Sequence, residues 1–227
     1  MKTAYEKLRA MRGIFALGLF SVLLSACGAI PDGRSGQSQR PPSSAGIGAF
    51  DPSPSARQCF SDLNKAHVRF SPLPNRQFGG GCSQIDSIKL LDVGADVTNL
   101  GPVKCELAGK FAAWTEYAVK RAARQYLGSD LKRIETMGSY SCRNIAGSGK
   151  LSEHAHANAI DVSAFVLADG RRITVENNWK SGRREMQFLT AIHDSACKRF
   201  GTVLSPNYNA AHRDHFHLDM SGNGYCR

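Results

Sequence analysis

Six cysteines spread from Cys59 to Cys226 behind a hydrophobic leader constrain this chain more than any other feature of its sequence. The leader, "MKTAYEKLRAMRGIFALGLFSVLLSACG", opens with Lys2, Lys7, Arg9 and Arg12, continues as an apolar run from Ile14 to Leu24, and ends in small residues before Cys27. That order of basic start, short apolar stretch and small-residue end marks residues 1–26 as a secretory signal peptide. The run is far shorter than the roughly 20 apolar residues that cross a bilayer, so a permanent membrane span is not expected. An exported chain meets an oxidising compartment, where an even set of cysteines closes into disulfides. Pairing neighbours in sequence, Cys59 with Cys82, Cys105 with Cys142 and Cys197 with Cys226, is the simplest expectation. No two cysteines stand at the CxxC-type spacing of structural zinc sites, which argues against a zinc finger.

The seventh cysteine ends the tetrapeptide "LSAC", Leu24 to Cys27, which resembles a bacterial lipobox. The resemblance implies that Cys27 is lipidated and becomes the first mature residue. Gly28 stands where an Asp would retain a lipoprotein at the inner membrane, so it also implies an outer-membrane lipoprotein facing the periplasm. From Pro31 to about Arg57 the chain is rich in Pro, Gly, Ser and Gln, with almost nothing to bury. Residues 27–57 are therefore expected to form the lipidated end and a disordered tether.

Residues 58–227 remain for one domain, and a hydrophobic content of 42% over the whole chain is enough for a real core. The formal charge is +10; the signal peptide carries four bases and one acid, so the mature chain holds about +7 by subtraction. Such a charge reads either as attraction to anionic polymers or head groups or simply as a soluble basic surface, and "KRAARQY" lacks the aromatics and groove motifs of a nucleic-acid binder.

Within the domain, "CFSDLNKAH" reads as a short helix, "VRFSPLP" as an extended piece, "GGGC" as a loop and "SIKLLDV" as a strand. The longest periodic segment is "KCELAGKFAAWTEYAVKRAARQYLG". Leu107, Phe111, Trp114, Ala118, Ala122 and Tyr126 recur every three to four residues and Gly128 closes it, so it is a helix with one buried face, Phe111 and Trp114 belonging to the core. "LKRIETMGSYSCR" leads from a strand into a loop, and "NAIDVSAFVLADGRRITV" gives two strands around the hairpin signal Asp169-Gly170. A helix from about Arg184 to Phe200 stops at Gly201, and "TVLSP" and "HFHLDM" are short strands. The order predicts an α+β domain with helices packed on a small, mainly antiparallel sheet, stapled by disulfides. A monomer is expected.

His67 and His193 stand apart and read as structural. The other histidines form two clusters, "SEHAHANAID" with His154 and His156, and "HRDHFH" with His212, His215 and His217. His154 and Asp161 are seven residues apart. On one helix they would lie about 10.5 Å apart, and on one strand about 23 Å apart on opposite faces. Sharing a ligand therefore requires His154 to sit on a loop folded back over the strand of Asp161. On a strand, His215, His217 and Asp219 share one face.

"SEHAHANAID" resembles the Ser-x-His-x-x-Gly-x-Ala-x-Asp motif of bacterial D-Ala-D-Ala carboxypeptidases and their lysostaphin and hedgehog-type zinc relatives. "HRDHFH" is similar to the closing motif of penicillin-insensitive murein endopeptidases. The whole segment from about Cys59 to Cys226 most closely resembles the bacterial extensin-like C-terminal domain family. These resemblances imply a zinc-peptidase-like fold, with His154, Asp161 and His217 as zinc ligands and a fourth position open for water. They imply His215 as general base, with Asp214 its rival because the carboxypeptidases carry a Glu there, His212 as a stabilising partner, and Arg143 as a holder of substrate carboxylate or carbonyl. Ala157 stands where the motif has Gly, a departure that matters only if the turn needs a positive φ. His156 reads as a rim residue, and Glu153 as a surface carboxylate or an orienter of a ligand.

The function expected from this reading is that of a membrane-tethered zinc metallopeptidase of the carboxypeptidase and murein endopeptidase type, acting on peptidoglycan peptides. A non-catalytic wall-binding module that keeps the fold and metal site is the alternative. A purely structural wall role, as in plant proteins built from Ser-Pro repeats, is disfavoured, because only "QRPPSS" and "DPSPS" resemble such runs.

Overall fold

A computed structural model describes residues 50–222 and 224–227. The expected signal peptide, Cys27 and most of the expected tether lie outside the described residues. Helix α1 (Pro54–Lys65) reaches four residues into the stretch read as tether, because Ser53 caps it and also bonds Asp86 through Oγ at 2.7 Å. Three short strands follow, β1 (Arg69–Pro72), β2 (Arg76–Gln77) and β3 (Ser83–Gln84), with a tight turn at Gly79–Gly81. After them come β4 (Ser87–Asp92), β5 (Asp96–Thr98) and β6 (Val103–Lys104).

The long periodic segment is one continuous helical rod with changing pitch. It starts as α2 (Cys105–Trp114), widens into a π-helical turn (Thr115–Val119), passes through α3 (Lys120–Ala122) and a second π-helical turn (Ala123–Leu127), and stops at left-handed Gly128. Phe111 and Trp114 are fully buried, and Trp114 Nε1 donates to the Ile192 carbonyl at 2.9 Å. Strands β7 (Leu131–Gly138), β8 (Ala159–Leu167) and β9 (Arg172–Thr174) follow, with β8 and β9 joined antiparallel across Asp169-Gly170 as expected. Then come α4 (Val175–Asn178), α5 (Arg183–Cys197), β10 (Thr202–Leu204), β11 (Phe216–Asp219) and β12 (Tyr225–Cys226).

The domain is α+β with mixed sheets. Its main sheet has seven strands in the order β12-β10-β11-β8-β7-β5, with β9 on the same edge of β8 as β11 but farther along. The β12–β10 and β5–β7 pairs are parallel and the other pairs antiparallel. A smaller antiparallel sheet, β1-β4-β6, lies beside α2. Trp114 meets Phe165 of β8 at 6.1 Å, and Phe165 meets Phe188 of α5 edge-on at 5.3 Å, which ties both main helices to the sheet.

Three disulfides staple the domain, joining Cys59 to Cys105, Cys82 to Cys142 and Cys197 to Cys226. The pairing of sequence neighbours holds only for the last. Helix α1 lies along α2, which brings Cys59 to the first residue of α2 with Cα atoms 6.2 Å apart. The β2–β3 hairpin folds over the segment after β7, where Phe78 meets Tyr140 at 5.6 Å, and Cys82 therefore reaches Cys142. Proximity in the chain loses to packing of whole elements.

Candidate metal centre

The register of two strands builds the site. In the antiparallel β8–β11 pair, His217 stands directly opposite Asp161, and directly opposed residues project to the same face. Phe216 and Leu218 face the core with Val162 and Ile160, so the period of two turns His215, His217 and Asp219 to the other side. His154 arrives from outside the sheet. It lies on a one-turn 3-10 segment, Glu153–His156, that Ser152 caps and left-handed Ala157 ends at φ 53°. The fold-back required by the seven-residue spacing is thus made in one tight turn. That turn does use a positive φ, the case in which Ala157 in place of Gly matters, at a cost to Ala of about 1–2 kcal/mol.

Three donor atoms converge. His154 Nε2 lies 3.1 Å from Asp161 Oδ2 and 3.2 Å from His217 Nδ1, and His217 Nδ1 lies 3.0 Å from Asp161 Oδ1. All three residues are buried. The outer ring nitrogens decide the tautomers. A carbonyl can only accept, so His154 donates Nδ1–H to Ser139 O at 3.0 Å, leaving Nε2 a bare lone pair in the neutral ring. Likewise His217 donates Nε2–H to Asp219 Oδ2 at 2.8 Å, leaving Nδ1 bare. Asp219 is itself fixed, since its Oδ1 accepts from both N–H and Oγ–H of Ser221 at 2.7 Å.

Two lone pairs and a carboxylate aimed at one point call for a cation. Bonds of about 2 Å place tetrahedral zinc ligands roughly 3.3 Å from one another, close to the separations found. A carbonyl and a carboxylate on the outer nitrogens are the usual orienting partners of metal-bound histidines. The donor set therefore fits zinc. A proton can occupy the same point. Burial opposes charge on His217, but its bonds to Asp161 and Asp219 outweigh that and push the ring up to about 9. For Asp161 burial also works against charge, yet bonds to His154 and His217 hold its carboxyl far below the usual range.

His215 Nε2 lies 3.7 Å from Asp161 Oδ1, and its Nδ1–H donates to Asp214 Oδ1 at 2.9 Å. Of the two residues expected to compete as base, His215 faces the triad and Asp214 stands behind it, its carboxyl lowered mainly by that bond. Half-buried His212 packs 5.1 Å from the His215 ring and donates Nδ1–H to Asn209 Oδ1 at 2.7 Å. Burial, then the neighbouring imidazoles of His215 and His217, lower it to about 4, with a smaller push from Arg143. Arg143 is exposed and has no salt bridge among the described residues. His156 bonds Ser83 Oγ at 3.1 Å on the rim, and Glu153 accepts from Asn158 rather than from a ligand.

His193 is held between Trp179 and Phe216, at 5.4 and 5.7 Å. It also neighbours Cys197 and Cys226, but those sulfurs are joined to each other and are not free ligands. A cavity of about 960 Å³ lies between α1 and α2, lined in part by Leu63, Val93 and Tyr117. None of the converging groups borders it, so donor chemistry rather than volume locates the site. Sequence reasoning placed Asp219 on the correct face without giving it a task; its spacing of two from His217 was the available signal. The Ser139 carbonyl had no signal, because a backbone acceptor leaves no mark in residue type.

Residues 57–227 match the family described as Extensin-like protein C-terminus, three quarters of the chain, and the protein belongs to that family. No curated protein and no solved structure matches it.

Proposed function

We propose that this protein is a zinc-dependent peptidase that hydrolyses a peptide bond in peptidoglycan, tethered to the outer membrane through lipid on Cys27. The observation that carries the reading is the convergence of His154 Nε2, Asp161 and His217 Nδ1 beside a histidine that is not part of the triad. Zinc bound there would supply a Lewis acid able to polarise an amide carbonyl and acidify water. His215 presents Nε2 toward the triad with its other nitrogen tied to Asp214, the arrangement of a general base whose ring is oriented by a carboxylate. His212, kept neutral near pH 7, offers a second imidazole at the same edge. Arg143, without a salt bridge among the described residues, supplies a guanidinium fork for a substrate carboxylate.

The test is digestion of purified sacculi with and without a chelator, the muropeptides being read by mass. Release of fragments that have gained water at one type of cross-link, abolished by the chelator and by His215→Ala, supports the reading. Binding to sacculi with no fragment released by the zinc-loaded protein contradicts it and leaves a wall-binding module.

A further inference from the structure

A line of rings runs outward from the triad. His212 lies 6.0 Å from the His217 ring, Tyr208 lies 5.4 Å from His212, and Tyr225 lies 6.1 Å from Tyr208. The two tyrosines are exposed, at 42% and 45%, and their hydroxyls bond no other described residue. The Arg227 guanidinium sits 5.4 Å from the Tyr225 ring centre. Exposed Arg213 approaches a carboxylate only at 3.9 Å. Disulfide Cys197–Cys226 and the bond from Ser205 Oγ–H to the Arg227 carbonyl hold this end of the chain in place.

Aromatic surface left in water and rimmed by cations marks a binding surface. The chemistry selects its occupant. A peptide added as a strand needs a sheet edge, and the edge here is β12, two residues long. A pyranose ring has different needs. Its C–H face lies on an aromatic ring, its hydroxyls pair with phenols, and its hydroxyl and acetamido carbonyl oxygens accept from arginine. Both tyrosines and Arg227 offer those contacts together.

We propose that Tyr208, Tyr225 and Arg227 form a saccharide subsite that holds the glycan of the substrate while its attached peptide reaches the triad. The proposal rests on the peptidoglycan reading above and adds to it a requirement for glycan next to the cleaved bond. The probe is a peptide-free oligomer of β-1,4-linked N-acetylglucosamine, titrated into the intact mature protein by calorimetry. Wild type binds it. His154→Ala, which removes a triad member, binds it equally. The double variant Tyr208→Ala/Tyr225→Ala weakens binding by roughly tenfold or more, whereas Tyr208→Phe, which keeps the ring, weakens it by less, and zinc content is the same in all the tyrosine variants.

Absence of binding by wild type, or equal binding by the double alanine variant, overturns the subsite. So does a proline-rich peptide competing for the same tyrosines more tightly than the glycan. Failure here with continued fragment release from sacculi sinks the subsite alone. Glycan binding without fragment release sinks the peptidase reading instead.

Discussion

Asp219→Asn is the sharpest perturbation of the proposed metal centre, because it changes one oxygen to nitrogen just behind the imidazole of a proposed ligand. In the native protein both carboxylate oxygens accept: Oδ2 from His217 Nε2–H, and Oδ1 from the N–H and Oγ–H of Ser221. An amide has one acceptor and one donor end. If its oxygen faces His217, its NH₂ meets the Ser221 N–H; if its oxygen faces Ser221, its NH₂ meets His217 Nε2–H. Either orientation opposes two donors at a residue only 4% exposed, a cost of about 1–3 kcal/mol. Facing the second arrangement, His217 escapes by moving its proton to Nδ1, the atom the cation needs. Zinc affinity should therefore fall by about 10–100-fold, measured by competition with a chelating dye at constant pH. An affinity within about twofold of wild type, in a variant with unchanged circular dichroism, would refute the assignment of Asp219 as orienter.

Other expectations follow from the same geometry. Phe165→Ala empties a fully buried site between Trp114 and Phe188 and should cost about 3–5 kcal/mol by urea denaturation. Joint replacement of Cys59 and Cys105 by Ala opens a link with a sequence separation of 46 and should cost up to about 4 kcal/mol on the chain-entropy account; peptide mapping of the native protein should recover Cys59–Cys105 and Cys82–Cys142. In metal-free protein the raised His217 contributes stability that is fully present below its ordinary value of 6.5 and is lost as pH rises through about 9, so the urea midpoint should fall across that window. The same proton competes with zinc, so affinity should climb with pH over that range, and a flat profile would show that His217 is not a ligand.

Much of the site was legible because spacing carries geometry. A sequence separation of seven between His154 and Asp161 excluded a shared helix or strand and demanded a fold-back, which the 3-10 turn and left-handed Ala157 provide. Alternation along "HFHLD" put His215, His217 and Asp219 on one face, and the register with Asp161 agrees. The two main helices and the β8–β9 hairpin were likewise visible as periodicity and turn chemistry. What stayed hidden is non-local. Cysteine pairing depended on α1 lying along α2 and on the β2–β3 hairpin covering Tyr140, neither of which a local pattern encodes. The parallel pairing of β12 with β10, which presents Tyr225 near Tyr208, is a contact between segments distant in the chain. Short strands such as β5 and β12 are held by their partners rather than by their own sequence.

Whether three side chains hold a metal is the central question, and X-ray absorption at the zinc edge of the purified mature protein tests it directly. The prediction is one zinc per chain with only nitrogen and oxygen neighbours at about 2 Å, imidazole scattering from two rings, and loss of the bound ion in His154→Ala and His217→Ala. A chain that takes up no zinc, a sulfur neighbour in the spectrum, or full zinc content in both variants would contradict it.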